Sequence, residues 1–370
     1  MRTEAPWPIL LMTRSLDLGG SERQVAEVAM SLDQRRFRPA VGCFDSRGVR
    51  ADDLRRAGIP VIEFPVRSFG SPRTASLAWR FMAWLRRHRI ALVHPFDVPT
   101  VLFAVPLARL ARVPIVLSSQ RGDRRMFSPG EQRALKIADR LVDGVVVNSN
   151  YVRRVLEAEF GLPDSSIHTC HNGLDTAIFH PGERPLDGAG SGLVVGIVAA
   201  LRSEKSIETL IEAFSRLRET THSLVIVGDG PCKEGLVEQA RRLGVLERTT
   251  FTATTVDVAS WYRRIDVFVL PSINESFSNS LMEAMASGCA VLASKVGGNP
   301  ELVKHGENGM LFAAGDVGGL TGELEAVLGD GALRQRLAAA GVRTIEEGYT
   351  RQRSAQRFGE LYEQLLVAGC

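Results

Sequence analysis

Two glutamates eight residues apart, Glu275 and Glu283, stand out in the stretch LPSINESFSNSLMEAMASGCAVLASKVGGNPE that spans residues 270–301. A carboxylate is a strong, charge-assisted acceptor for hydroxyl groups. Between the two lie Ser276, Phe277, Ser278, Asn279, Ser280 and Leu281. Small residues there let the backbone approach a ligand, and a helix beginning near Ser280 would aim unpaired N–H groups and a positive dipole end at a phosphate. Lys205, one of only five lysines, opens a helix further upstream. A cation is disfavoured at that position unless an anion sits nearby. Plainer readings exist for both acids: Ser280-x-x-Glu283 has the spacing of a capping box, and Glu275 fits a solvated loop carboxylate.

The elements around these residues read as alternating strands and helices. Residues 8–13, 39–44, 61–64, 91–94, 114–118 and 144–147 are short apolar runs bounded by Pro, Gly or polar turns. Residues 193–198, 223–227, 266–270 and 290–293 repeat the pattern. Val25, Val28, Ala29 and Leu32 trace one helix face, as do Ile207, Leu210, Ile211, Phe214 and Leu217. Strands that are apolar throughout, rather than alternating, belong to a parallel sheet covered on both faces. Residues 181–192, PGERPLDGAGSG, carry no apolar period and read as a linker. The pattern predicts an α/β chain of two doubly wound Rossmann-like domains facing each other across a cleft, over residues 1–185 and 186–350, with a C-terminal helix at about 351–370 packing back on the first domain.

Composition agrees with two domains. The 370 residues are 45% hydrophobic and carry 45 basic against 42 acidic side chains, which excludes a disordered tail or a collagen. The five cysteines lack any C-x-x-C spacing, so neither a zinc site nor a redox motif is indicated. No apolar run reaches the ~20 residues of a membrane-spanning helix, and the stretch at Trp7–Met12 is too short for a signal peptide core. A cytoplasmic protein is expected, working at the inner face of the cell membrane if it meets one. The charge is unevenly spread: residues 1–185 hold 27 basic and 19 acidic residues, a net of +8, and the rest hold 18 and 23, a net of −5. An arginine-rich genome would explain the choice of Arg over Lys but not that split.

The segment containing Glu275, Glu283, Ser287-Gly288 and Gly297-Gly298-Asn299-Pro300-Glu301 resembles the donor-binding signature of the retaining glycosyltransferases of family 4, also called glycosyl transferases group 1. Further motifs follow in the family's order: Gly19-Gly20-Ser21-Glu22, Asn172-Gly173-Leu174-Asp175 with Phe179, Glu204-Lys205, Gly228-Asp229-Gly230-Pro231, and Asn308-Gly309 with Leu311-Phe312. The resemblance implies a GT-B fold and a hexosyltransferase that moves a sugar from a nucleotide-diphosphate sugar, UDP rather than GDP, to a saccharide or lipid-linked acceptor in glycan or exopolysaccharide biosynthesis. It places Glu275 and Lys205 at the catalytic positions. It gives donor contacts to Gly20, Arg202, Gly228, Ser276, Phe277, Ser278, Asn279, Ser280, Leu281 and Glu283, with Glu283 on the ribose and Glu275 on the sugar. The nucleotide sugar is a co-substrate, and no other cofactor is implied. With no D-x-D triplet in the chain, no metal is expected.

Two departures from the family pattern matter. Ala199 and Ala200 replace the Gly-Arg pair usual before the lysine, which makes Arg202 a candidate second cation. Where relatives often carry a histidine, this chain reads Ser118-Ser119-Gln120-Arg121-Gly122-Asp123-Arg124-Arg125, and Arg121, Arg124 and Arg125 become candidates for an anionic acceptor. His94, His168 and His171 lie at strand ends and read as structural. The segment from Trp79 to Arg89 mixes aromatics with arginines and fits either a helix packed on a core or one lying on an anionic membrane. A sugar-nucleotide epimerase on the same fold, and a non-catalytic nucleotide-sugar-binding protein, are the alternatives. No recognised module supports nucleic-acid binding, and the chain lacks a G-x-G-x-x-G dehydrogenase fingerprint.

Overall fold

Every described strand belongs to one of two parallel sheets. The computed structural model describes residues 6–17, 19–183, 192–253 and 257–369. The chain divides into a first unit of Met1–Gly173 with Arg351–Cys370 and a second of Leu174–Thr350. The boundary therefore falls in the Asn-Gly-Leu-Asp segment, upstream of Pro185. Most of the expected linker, residues 184–191, lies outside the described residues.

In the first unit β1 (Trp7–Thr13) leads to α1 (Gly20–Ser31), β2 (Phe37–Cys43), α2 (Val49–Arg56), β3 (Val61–Glu63), α3 (Pro72–Arg87), β4 (Leu92–Pro95), α4 (Val98–Leu110), β5 (Ile115–Gln120), α5 (Pro129–Ala138), β6 (Gly144–Val147), α6 (Asn150–Phe160) and β7 (Ile167–Thr169). The strands order as 3-2-1-4-5-6-7, all parallel. Ile9, Leu10, Leu11 and Met12 are all completely buried, since helices cover both faces of the sheet. Val25, Val28, Ala29 and Leu32 are buried along α1, as their spacing predicts.

The second unit runs β8 (Val194–Val198), α7 (Ile207–Ser215), β9 (Ser223–Val227), α8 (Lys233–Arg242), β10 (Thr249–Thr252), α9 (Val258–Tyr262), β11 (Val267–Leu270), α10 (Asn279–Ala286), β12 (Ala290–Ser294), α11 (Asn299–Leu302), β13 (Met310–Phe312), α12 (Val317–Gly329) and α13 (Gly331–Gly348). Its strands order as 10-9-8-11-12-13. Both sheets reverse strand order once, between β1 and β4 and between β8 and β11. In such sheets ligands bind outside the carboxyl ends of the strands at this switch point.

The last helix, α14 (Arg351–Ala368), returns to the first unit. Phe358, Leu361, Tyr362 and Leu366 form its apolar stripe and join the core that holds Leu32 and Phe37. The Tyr362 hydroxyl meets Nδ1 of His94 on β4 at 2.7 Å, and Ser119 Oγ meets Nε2 at 2.8 Å. His94 is thus a fully buried structural histidine. Burial, then the positive charge of Arg121, holds its pKa well below the usual range.

Three strands escape the sequence pattern. β7, β10 and β13 have three to four residues each and lie at or next to sheet edges, where one side is half-exposed and the continuous apolar run is lost.

Candidate functional site

Lys205 and Glu275 lie in the loops that follow the two strands flanking the switch point of the second sheet. The chain leaves β8 at Val198 and passes through a 3-10 turn, Ser203–Lys205; β11 ends at Leu270, five residues before Glu275. The two loops are tied by the Ile273 N–H, which donates to the Glu204 carbonyl at 2.9 Å. Lys205 Nζ lies 2.5 Å from Glu275 Oε1. Ser272 Oγ donates to the same oxygen at 2.9 Å. Both bonds fall on Oε1, and Oε2 carries no hydrogen bond among the described residues. Glu275 is 9% exposed at its side chain and Lys205 20%, so the pair is sheltered but reachable. A solvated loop carboxylate does not describe Glu275.

Two glycine turns hold this site by close backbone approach. Gly297 has φ +55, and a β-carbon there would stand 1.5 Å from the Glu275 carbonyl oxygen, which accepts the Gly298 N–H at 3.1 Å. Only glycine supplies both that torsion and that contact. Gly228 has φ +147 and presses against the Ala199 carbonyl, where a β-carbon would stand 1.9 Å away. Below them, Ser294 Oγ donates to the Ser272 carbonyl at 2.5 Å, and Asn299 Nδ2 donates to the Ser294 carbonyl at 3.0 Å.

Helix α10 begins one residue before the expected Ser280. Its cap is Ser278, whose Oγ accepts the Leu281 N–H at 3.3 Å. The capping-box reading of Glu283 therefore gives way. Glu283 lies beyond the capping position, 8% exposed, and its Oε2 accepts a 2.7 Å hydrogen bond from the buried hydroxyl of Tyr262. Because the Leu281 N–H is capped by Ser278, it is not one of the donors left over for a phosphate. Ser280 Oγ lies 3.2 Å from Ser278 Oγ, and the Ser276 carbonyl lies beneath Gly298. Phe277 is buried with its ring 5.6 Å from that of Tyr349. Arg202 begins the same turn as Lys205, mostly exposed, 3.9 Å from Glu204.

Gly20 opens α1 beyond β1, beside the switch point of the first unit. There Asp97, the cap of α4, accepts the Thr13 hydroxyl at 3.0 Å and the Arg14 N–H at 2.5 Å. The three arginines after β5 separate. Arg124 is 1% exposed and grips Asp139 with two hydrogen bonds of 2.6 and 3.1 Å, its guanidinium over Phe160. It ties α5 to the loop rather than presenting charge to an acceptor. Arg125 is clasped by Asp123 and Glu159, so its charge is also matched. Among the described residues Arg121 has no carboxylate partner.

Sequence reading did not single out Ser272, Tyr262 or Gln24. Tyr262 closes the helix just before β11, and nothing in its spacing points to Glu283. Gln24 is a buried amide that clamps Gly173 from both sides, at 2.8 and 3.0 Å. It was legible only as a polar residue within a buried helix face.

This geometry coincides with two family models. One, described as glycosyl transferases group 1, matches residues 188–344, and the other, glycosyltransferase family 4, matches residues 18–178. The chain belongs to this glycosyltransferase family. The lipopolysaccharide core biosynthesis mannosyltransferase LpcC of Rhizobium leguminosarum bv. viciae is 29% identical over 310 residues, 78% of this chain and 84% of that protein. The D-inositol 3-phosphate glycosyltransferase of Mycobacterium sp. strain KMS is 32% identical over 273 residues, 70% of this chain; the glycosyltransferase spans 58% of that relative's length. Among solved structures, Anabaena Alr3699/HepE in complex with UDP-glucose aligns with a TM-score of 0.86 at 23% identity, covering 96% of this chain and 99% of that one. The fold is GT-B, and the chain is a glycosyltransferase. Among the described residues no helix is long and apolar enough to cross a membrane.

Proposed function

We propose that the protein is a retaining, metal-independent hexosyltransferase that takes a UDP-sugar as donor and a saccharide or lipid-linked acceptor. The observation that carries this reading is the Lys205–Glu275 pair at the switch point, with Oε2 of Glu275 and two further ammonium protons of Lys205 available to a ligand. Lys205 would hold a phosphate oxygen of the diphosphate, and Glu275 Oε2 would accept a hydroxyl proton of the donor sugar. Glu283, fixed by Tyr262, would accept from the ribose. UDP is favoured over GDP because the HepE structures of the same fold hold UDP and UDP-glucose.

The reaction is a front-side substitution. The bond from the anomeric carbon to the diphosphate oxygen breaks, and a bond to the acceptor oxygen forms on the same face. The acceptor proton passes to the departing diphosphate, so no enzyme carboxylate becomes covalently attached. Catalysis then consists of holding the reactants and stabilising the charge on the leaving group. The absence of a D-x-D triplet supports a donor held without a bridging metal. Contact with an anionic membrane is supported by α3, which buries Leu77, Phe81 and Leu85 and turns Trp79, Arg73, Arg80 and Arg87 outward.

The test is transfer from UDP-sugars to lipid-linked and free saccharide acceptors, comparing wild type with Glu275→Ala. Glu275→Ala should lose transfer while keeping its fold, and chelator should leave wild-type activity unchanged. An undiminished Glu275→Ala rate would remove the proposed site. A product anomer inverted relative to the donor would refute the front-side step.

A further inference from the structure

The loop after β5 holds a charge that no described carboxylate matches. Arg121 follows Gln120, the last residue of β5. Its guanidinium carbon lies 5.3 Å from the centre of the Phe96 ring, and Nη2 donates to Asn172 Oδ1. Nη1 is shut off from water and makes no hydrogen bond. No carboxylate pairs with Arg121 among the described residues, whereas Arg124 and Arg125 both hold one.

The groups around Arg121 are uncharged. Burial pushes the Cys170 thiol up to about 12 and holds the Tyr362 phenol well above its usual range. His94 is held neutral by burial and by Arg121 itself. Burial lowers Arg121 to about 10, which still leaves it a cation at neutral pH. An enclosed cation without a counter-ion is costly, and a fold that needed only packing there would be better served by an apolar side chain. The residue as a whole is only partly buried.

We propose that Arg121 anchors an oxyanion subsite in the first unit, taking a phosphate or carboxylate carried by the acceptor. Phe96 and Asn172 fix the plane of the guanidinium, whose fork matches two oxygens of such a group. The assignment to the acceptor rests on the glycosyl-transfer reading above; the subsite itself does not. The same oxyanion chemistry is present in the donor diphosphate, and the experiment separates the two.

Thermal shift of the full chain with inorganic phosphate, with and without saturating UDP at matched ionic strength, is compared for wild type, Arg121→Gln and Arg121→Lys. Phosphate should stabilise wild type in both conditions. Arg121→Gln should weaken phosphate roughly 10- to 100-fold, the worth of a hydrogen bond to a charged group, while binding UDP as wild type does. Its melting temperature without ligand should equal or exceed that of wild type, and Arg121→Lys should recover part of the phosphate effect. Equal phosphate binding by Arg121→Gln would overturn the subsite. A phosphate effect abolished by UDP would move the subsite to the donor diphosphate, and a much lower melting temperature would make Arg121 structural. Failure of wild type to bind UDP would count against the donor reading alone.

Discussion

Gly297→Ala should damage the proposed site around Glu275 far more than its size suggests. The new β-carbon would stand 1.5 Å from the Glu275 carbonyl oxygen, so the two backbones must part by roughly 1.5–2 Å to reach ordinary contact. Three costs add: roughly 1 kcal/mol for an alanine at φ +55, about 1 kcal/mol for the hydrogen bond from Gly298, and the displacement of the Glu275 loop. The total is about 2–4 kcal/mol, and a reacting group moved by about 1 Å costs on the order of 100-fold in rate. Gly306 is the matched control, because its φ is +76 and no atom lies within 4 Å of its β-carbon position. Gly306→Ala should lose only the torsional part, about 1 kcal/mol, and keep full activity. The assay is scanning calorimetry alongside transfer rate for both variants. If the two alanines lower stability and rate equally, the contact with Glu275 is not what Gly297 is for.

Lys205→Met leaves the sheltered Glu275 carboxylate unpaired and should destabilise by roughly 2 kcal/mol, whereas adding Glu275→Gln should restore about half; strictly additive losses in urea titrations would refute the ion pair's coupling. Arg124→Met breaks the Asp139 pair and should cost about 3–5 kcal/mol, whereas Arg125→Met, half-exposed, should cost under about 1 kcal/mol by the same measurement. His94 has a folded pKa below its unfolded value, so the unfolded chain takes up the proton first on acidification. Its contribution is intact above about pH 6.5 and falls below it by at most about 1.4 kcal/mol per pH unit until the folded group titrates. Replacing His94 by Gln should flatten that part of the stability profile, and an unchanged slope would exclude it as the titrating group.

The interior of the fold was legible because central parallel strands bury both faces. Ile9–Met12 and Val267–Leu270 can tolerate only apolar residues, so they read plainly. The Thr-Thr-Phe-Thr of β10 faces no such demand at the sheet edge. Spacing and family likeness singled out Glu275 and Glu283, but their partners were not legible. Ser272 and Tyr262 reach Glu275 and Glu283 through the folded backbone, and no sequence interval encodes such a meeting. The arginine run after β5 shows the same limit: of three adjacent-looking charges, two are matched by carboxylates and, among the described residues, one is not.

The return of α14 to the first unit has a consequence for synthesis. The second unit, residues 174–350, is continuous in sequence, whereas the first is interrupted by it. At roughly 5–20 residues per second a ribosome takes about 9–35 s to translate the 177 residues between the two parts of the first unit. Throughout that interval Leu32, Phe37 and His94 lack the helix that covers them, and the half of the molecule made first is finished last.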